Sequence, residues 1–260
     1  MANLAKPRER ETWLATLMAD RLGALLQTEA QRQRFSAVTL AAIAKDKNLM
    51  RCDQTSLALC LLTCAELGLP PNGALDLAYL IPRKGQCSVQ LGYKGLCLLA
   101  HRANPGATIS AGVVYRDDHF VIRAGTDAPG IEHSPNLEGR RSAADVIASY
   151  ASIRTADGGL AFEYCDRAEL DARRKAGGGN SPAWRQHFGA MARKTALRKL
   201  LMGGTVPLAP ELADGLMATL KAEDEPPAGA TPAASVAEAL QAADAAEPSP
   251  FVMDAEPTPE

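Results

Sequence analysis

Residues 175–201, KAGGGNSPAWRQHFGAMARKTALRKLL, restrict the possible folds more than any other part of the chain. Ser181 is a favourable helix N-cap, and Pro182 fits a first helical turn, where a missing N–H costs nothing, so a helix is predicted over 182–201. At about 100° per residue, Trp184, Phe188, Met191 and Thr195 gather on one stripe, while Leu197, Leu200 and Leu201 lie on another side. Arg185, Arg193, Lys194, Arg198 and Lys199 spread over the remainder. A helix with two apolar sides is not a simple surface amphipath. It is expected to pack on both sides and to project its cations into a groove between them. The glycines at 177–179 lead into the helix start, and a glycine loop before a helix N-terminus, with cations around it, suits a phosphate group. From residue 167 to residue 199 the chain carries nine Lys and Arg, including Arg167, Arg173, Arg174 and Lys175, against only Glu169 and Asp171. The competing reading is a solvated basic face on an ordinary helix.

The net charge of −2 conceals an asymmetry: residues 222–260 hold nine Asp or Glu and no Lys or Arg. The preceding 221 residues therefore carry 28 basic against 21 acidic side chains, a basic body with an acidic tail. That body is long enough to bury a sizeable core. The tail is rich in Ala and Pro, with Phe251 its only aromatic, and is expected to be disordered because it buries too little apolar surface. A single aromatic among acids and prolines is also the composition of a short partner-binding motif. No apolar stretch is long enough to span a bilayer, so the chain reads as cytoplasmic, with no membrane partner.

Three divisions are predicted: N-terminal helices over 1–50, a core over 51–221, and the acidic tail over 222–260. In the first, Trp13, Leu14, Leu17, Leu22, Leu25 and Leu26 recur at helical spacing, and a second helix runs through Phe35 to Ala44. The face made by Trp13, Leu17 and Leu25 is read as joining subunits. Asp53 is predicted to cap a helix over 54–67 that is apolar nearly all round and that Gly68, Pro70 and Pro71 terminate. Segments 78–82 and 87–92 flank the turn RKGQ as a β-hairpin, followed by a short helix over 93–103. Strands are expected at 108–116, 119–123, 146–154 and 160–164, with a Gly/Pro-rich loop at 124–144. Helices follow at 167–175, 182–201 and 210–222. Helices at both ends of antiparallel strands give an α+β fold.

The chemistry-bearing patterns are mostly negative. There is no GxxxxGK(S/T), HExxH or GxSxG, so neither a P-loop ATPase nor the corresponding hydrolases are expected, and no cofactor is called for. Cys60 with Cys64, and Cys97 with His101, share helix faces at i, i+4. Without a second pair nearby these are read as free thiols rather than metal ligands, together with Cys52, Cys87 and Cys165. His101, His119, His133 and His187 are scattered and read as surface or core histidines. A set such as Glu163, Asp166 and Lys175 is the residue type of a metal-dependent nuclease, the first rival reading. A second basic cluster comprises Arg83 and Lys84 in the hairpin turn, then Lys94 and Arg102. In GYKGL the glycines allow close backbone approach to a ligand, and Tyr93 either stacks on a base or packs against the sheet.

Three segments in order, CDQTSLALCLLTCAELGLPPNGALDLAYLIP (52–82), VQLGYKGLCLLAHR (89–102) and GNSPAWRQHFGAMARKTALRKLL (179–201), resemble the RecT family of phage single-strand annealing proteins. The resemblance covers residues 30–207. It implies sequence-independent binding of single-stranded DNA and ATP-free annealing of complementary strands. It also implies assembly into rings or helical filaments, and work beside a RecE-type 5′→3′ exonuclease and a host single-strand-binding protein. The residues agree with it. Annealing is downhill in base pairing, so the barrier is phosphate repulsion and search, and a basic groove lowers that repulsion. Aromatics form only 5% of the chain, too few for stacking platforms, which leaves base edges free to pair. Lys94, Arg193, Lys194, Arg198 and Lys199 are the expected phosphate ligands, with Lys84, Arg102, Lys175 and Arg185 nearby and Tyr93 as a possible base contact. The second rival is an adaptor whose basic face binds an acidic protein.

Overall fold

The computed structural model describes residues 28–125, 128–176, 181–206 and 210–224, with Thr16, Leu25 and Leu26. The expected first helix, the glycine loop at 177–179 and nearly all of the acidic tail lie outside the described residues. The described elements form one body. Thr28 opens helix α1 (Glu29–Lys45) with a capping box, its hydroxyl accepting the Gln31 N–H while the Gln31 side chain accepts the Thr28 N–H. Asp53 opens α2 (Gln54–Glu66) by accepting the Ser56 N–H at 2.9 Å. A cap of this kind contributes about 1 kcal/mol. Leu57, Cys60, Leu61, Cys64 and Ala65 of α2 are buried. The all-round apolar pattern overstates that burial, because Leu59 on the opposite side remains exposed.

Strands β1 (Ala78–Arg83) and β2 (Gln86–Leu91) pair antiparallel with Arg83 opposite Gln86. The connecting Lys84 and Gly85 both have positive φ, 49° and 81°, as a two-residue hairpin turn requires. Helix α3 (Tyr93–Ala103) follows without a side-chain cap. A three-stranded sheet has the order β3 (Thr108–Tyr115), β6 (Val146–Arg154), β7 (Leu160–Asp166), with both pairings antiparallel. Between β3 and β6 the chain makes an excursion as a second hairpin, β4 (His119–Arg123) with β5 (Gly130–Ser134). The strand at 130–134 replaces part of the loop expected over 124–144. Its sequence, GIEHS, has no apolar run to announce it, and ladder bonds to β4 hold it.

Helices α4 (Arg167–Ala176), α5 (Pro182–Gln186), α6 (Phe188–Met202) and α7 (Pro210–Asp224) complete the body. The single helix predicted over 182–201 is in fact two, because His187 leaves helical geometry at φ −132° and ψ 45°. His187 closes α5 through its N–H to the Ala183 carbonyl and opens α6 by accepting the Met191 N–H. Neither glycine nor proline marks the break. Trp184 and Phe188 meet edge-on across it, centroids 5.4 Å apart, and both are buried.

Helix α6 packs against β3, β6 and β7 on one side and against α3 and α7 elsewhere, the two-sided packing that its sequence requires. Ser149 of β6 donates to the Ala192 carbonyl at 2.9 Å and pins helix to sheet within the core. Leu61, Leu80, Leu91, Leu96, Leu99, Leu197 and Leu200 belong to one apolar cluster that also contains Leu26, Phe35 and Ile43. Among the described residues no helix is long and apolar enough to cross a membrane.

Candidate nucleic-acid interface

The expected phosphate ligands divide by burial. Arg193 is exposed, and its guanidinium lies 5.8 Å from the centre of the Tyr93 ring. That contact brings the middle of α6 to the start of α3, where exposed Lys94 stands 3.8 Å from Asp76. Tyr93 is half-buried, and burial together with a bond to Cys97 pushes its hydroxyl up to about 12. Arg185 on α5 and Lys175 at the end of α4 are exposed on either side of the undescribed glycines.

Lys194 and Arg198 lie deeper, 9% and 4% exposed. Both face Glu223 on the last turn of α7, with Arg198 Nη1 at 3.0 Å and Lys194 Nζ at 3.7 Å from Glu223 Oε2. Arg198 also donates through Nη2 to the Leu220 carbonyl. The other carboxylate oxygen, Oε1, accepts the backbone N–H of Leu91 at 2.6 Å. Burial lowers the Lys194 ammonium from its ordinary value, and Glu223 partly opposes that. Burial, with the nearby Arg173 charge, brings Arg198 down to about 10. Arg173, half-buried on α4, is lowered by burial too and feels the Glu223 charge. The deep part of the site is thus a convergence of α4, α6, α7 and the end of β2.

The other assigned cations have local duties. Arg102 donates to the Leu67 and Gly68 carbonyls at 2.7 and 3.2 Å and so caps the C-terminus of α2. Lys199 bonds Glu169 and the Tyr164 carbonyl, each at 2.9 Å, with Glu163 at 3.7 Å. Burial works against its charge, but the Glu169 bond outweighs it and the pKa is raised. Lys84 occupies the tip of the β1–β2 turn and is exposed.

The glycines of GYKGL serve the fold, not a ligand. A Cβ on Gly92 would sit 2.0 Å from the Asp76 carbonyl oxygen, and one on Gly95 would sit 2.1 Å from that of Leu77. The close backbone approach that the motif announces is to the loop before β1. The two acids of the rival nuclease set are also engaged. Asp166 accepts the Glu169 N–H and Glu169 accepts the Asp166 N–H at the start of α4, while Glu163 faces Lys199. Cys52, Cys60, Cys64, Cys87 and Cys165 are buried free thiols and Cys97 is half-buried, as expected. Burial pushes the Cys165 thiol up to about 11 and raises Cys64 further.

Two residues of the deep cluster stand outside the expected ligand set. Arg173 was legible only as one of many cations. Glu223 falls in the segment predicted as tail, yet α7 runs through Asp224. One signal was present in the sequence: acidic Glu223 follows directly on the helix predicted over 210–222, where the helix dipole favours a cation from elsewhere.

The RecT family model matches residues 33–209, from within α1 through α6, and includes every described strand. The chain belongs to the RecT family. It is 35% identical over 192 residues to Protein RecT of Escherichia coli (strain K12), 70% of each chain. It is 27% identical over 169 residues to the uncharacterized protein YqaK of Bacillus subtilis (strain 168), 65% of this chain and 57% of that protein. RecT-family membership supports annealing of single-stranded DNA in recombination, and the family's proteins are annealing proteins, not known as hydrolases.

Proposed function

We propose that this RecT-family chain binds single-stranded DNA along the phosphate backbone without reading sequence, and anneals complementary strands without ATP. The observation that carries the proposal is the approach of Arg193 to Tyr93, which makes one basic rim of Lys94 and Arg193 from segments a hundred residues apart. We assign exposed Lys175 and Arg185 to the same DNA-binding face, and buried Lys194 and Arg198 to a deeper part of it. Lys84, Arg102 and Lys199 are given secondary roles because each is remote or locally engaged. No Asn or Gln is interleaved among Arg193, Lys194, Arg198 and Lys199, so these cations are read as gripping phosphates and leaving base edges exposed. Tyr93 is half-covered by its own surroundings, so at most one face of its ring is offered to a base.

Function is further proposed to require a ring or filament of copies in which the 1–50 region joins subunits. A RecE-type exonuclease would supply the single strand, and a host single-strand-binding protein would be a further partner. The test mixes two complementary labelled oligonucleotides with protein and no nucleotide, then titrates salt. Annealing should proceed, and log affinity should fall by about 0.7 per phosphate neutralised for each unit of log salt, equally for sequences of different composition. An absolute need for ATP, or binding that tracks base sequence, defeats the reading.

A further inference from the structure

We infer that Glu223 is a built-in stand-in for a DNA phosphate, and that incoming single-stranded DNA displaces it with the terminal turn of α7. The inference rests on the proposed DNA-binding reading and adds a device to it. Three donors from two elements, α6 and the end of β2, converge on this one carboxylate: Arg198 Nη1, Lys194 Nζ and the Leu91 N–H. Arg173 adds its charge to the same cluster. A carboxylate and a phosphate offer the same thing to such a set, anionic oxygens that accept short charge-assisted bonds from guanidinium, ammonium and backbone N–H.

The occupant is also poorly bound by its own element. Glu223 lies in the last turn of its helix, where a negative charge meets the negative end of the helix dipole. That turn holds its place only while the cations offset it. The body of α7 is anchored separately by Leu216 and Leu220, both fully buried, so the last turn can lift without unfolding the helix. Leu91 lies two residues before Tyr93, so the vacated cradle would open onto the rim formed by Lys94 and Arg193. A strand that first engages those exposed cations brings further phosphates to the cradle at high effective concentration, and a lone carboxylate loses that competition.

Two measurements on the full chain test this. With excess oligo(dT), amide hydrogen exchange in residues 221–224 should speed up about tenfold, while residues 216–220 keep their protection. Unchanged or slower exchange at 221–224 overturns the inference. Glu223→Gln should tighten oligo(dT) binding at low salt about fivefold, and unchanged or weaker binding by a folded variant also overturns it. Should the variant not fold, the exchange result on the wild-type chain decides alone. A wild-type chain that binds no oligo(dT) defeats the DNA-binding reading itself, and the inference with it. A chain that binds normally but keeps Glu223 in place defeats only the inference.

Discussion

Two regions of this molecule are crowded with charge, and they use it in opposite ways. The excursion from Arg116 to Asp145 carries its acids and bases as a closed local account. Asp118, with no exposed side-chain surface, accepts the Tyr115 and Asn136 N–H groups, one Arg141 nitrogen at 2.9 Å and His133 Nε2 at 3.1 Å. His133 Nδ1 meets the Tyr150 hydroxyl at 3.2 Å, Phe120 stacks on Tyr150, and the Arg141 guanidinium lies 4.3 Å from the Tyr115 ring centre. Asp117 accepts the Arg140 N–H nearby. In the region of α6 and α7, Lys194 and Arg198 of one helix instead converge on one carboxylate contributed by the end of another. Charge density alone therefore does not identify a binding surface. What matters is whether the charge is met within one excursion of the chain, as Asp118 is, or by a carboxylate carried in from another helix, as Lys194 and Arg198 are by Glu223 of α7.

The contrast is broken most directly by Arg198→Ala. The change removes the nearest cation from Glu223 and a donor from the Leu220 carbonyl, leaving Lys194 and the Leu91 N–H to hold the carboxylate, and it should cost about 3 kcal/mol in a denaturant melt. The exposed neighbour Arg193→Ala should stay within about 0.5 kcal/mol of wild type. Equal melts for the two would mean that the deep cluster does not hold α7. In the excursion, Asp118→Asn should destabilise the fold by about 2 kcal/mol through its buried hydrogen bonds and leave oligonucleotide affinity alone. A loss of affinity by a folded Asp118→Asn protein would move the excursion into the DNA face.

Lys94→Ala combined with Arg193→Ala sharpens the other side of the comparison. The thermal midpoint should hardly move, while the slope of log affinity against log salt becomes shallower by about 1.4 units. Retention of the full slope would place the rim elsewhere.

The next effect is smaller and depends on pH. Burial resists the Asp118 charge, but bonds from Tyr115, His133 and Asn136 and the Arg141 charge overcome it and hold the carboxyl at about 2. A carboxylate held low by the fold contributes stability above its unfolded value, near 4, and that contribution disappears as pH falls towards 2. Acid titration of wild type should therefore show a loss over that window that Asp118→Asn lacks. The smallest expected effect is from truncation after Pro226, which should leave annealing in vitro unchanged. Truncation after Ala222 removes Glu223 as well and should alter both melt and DNA affinity, so the four intervening residues separate tail from body.

Much of the framework was legible in the sequence because its causes are local. The Asp53 cap acts over three residues, the hairpin turn at Lys84 and Gly85 over four, and the apolar spacing of α2 and α6 within single helices. Strand β5 and the break at His187 were hidden for the same reason. The strand exists through its ladder with β4, and the break has no residue with special backbone freedom to announce it. For the site, the sequence was right that α6 packs on two sides, but the cations it selected fall in separate settings: Arg193 beside Tyr93, Lys194 and Arg198 at Glu223, Arg102 at the end of α2 and Lys199 at Glu169. It could not rank them by depth, because Lys194 and Arg193 are neighbours on one helix and differ only in what packs above each.

By itself, then, the sequence determined the α+β class, the two-sided helix, the separation of basic body from acidic tail and the family resemblance. Each of these follows from short-range spacing or from composition. Only the tertiary structure decided that Lys194 and Arg198 are buried, that Arg102 and Lys199 serve neighbouring elements, and that Glu223 ends a helix inside the body instead of beginning the tail. Burial and ion pairing depend on which distant elements meet, and Glu223 lies 25 residues along the chain from Arg198. No local pattern in either segment records that meeting.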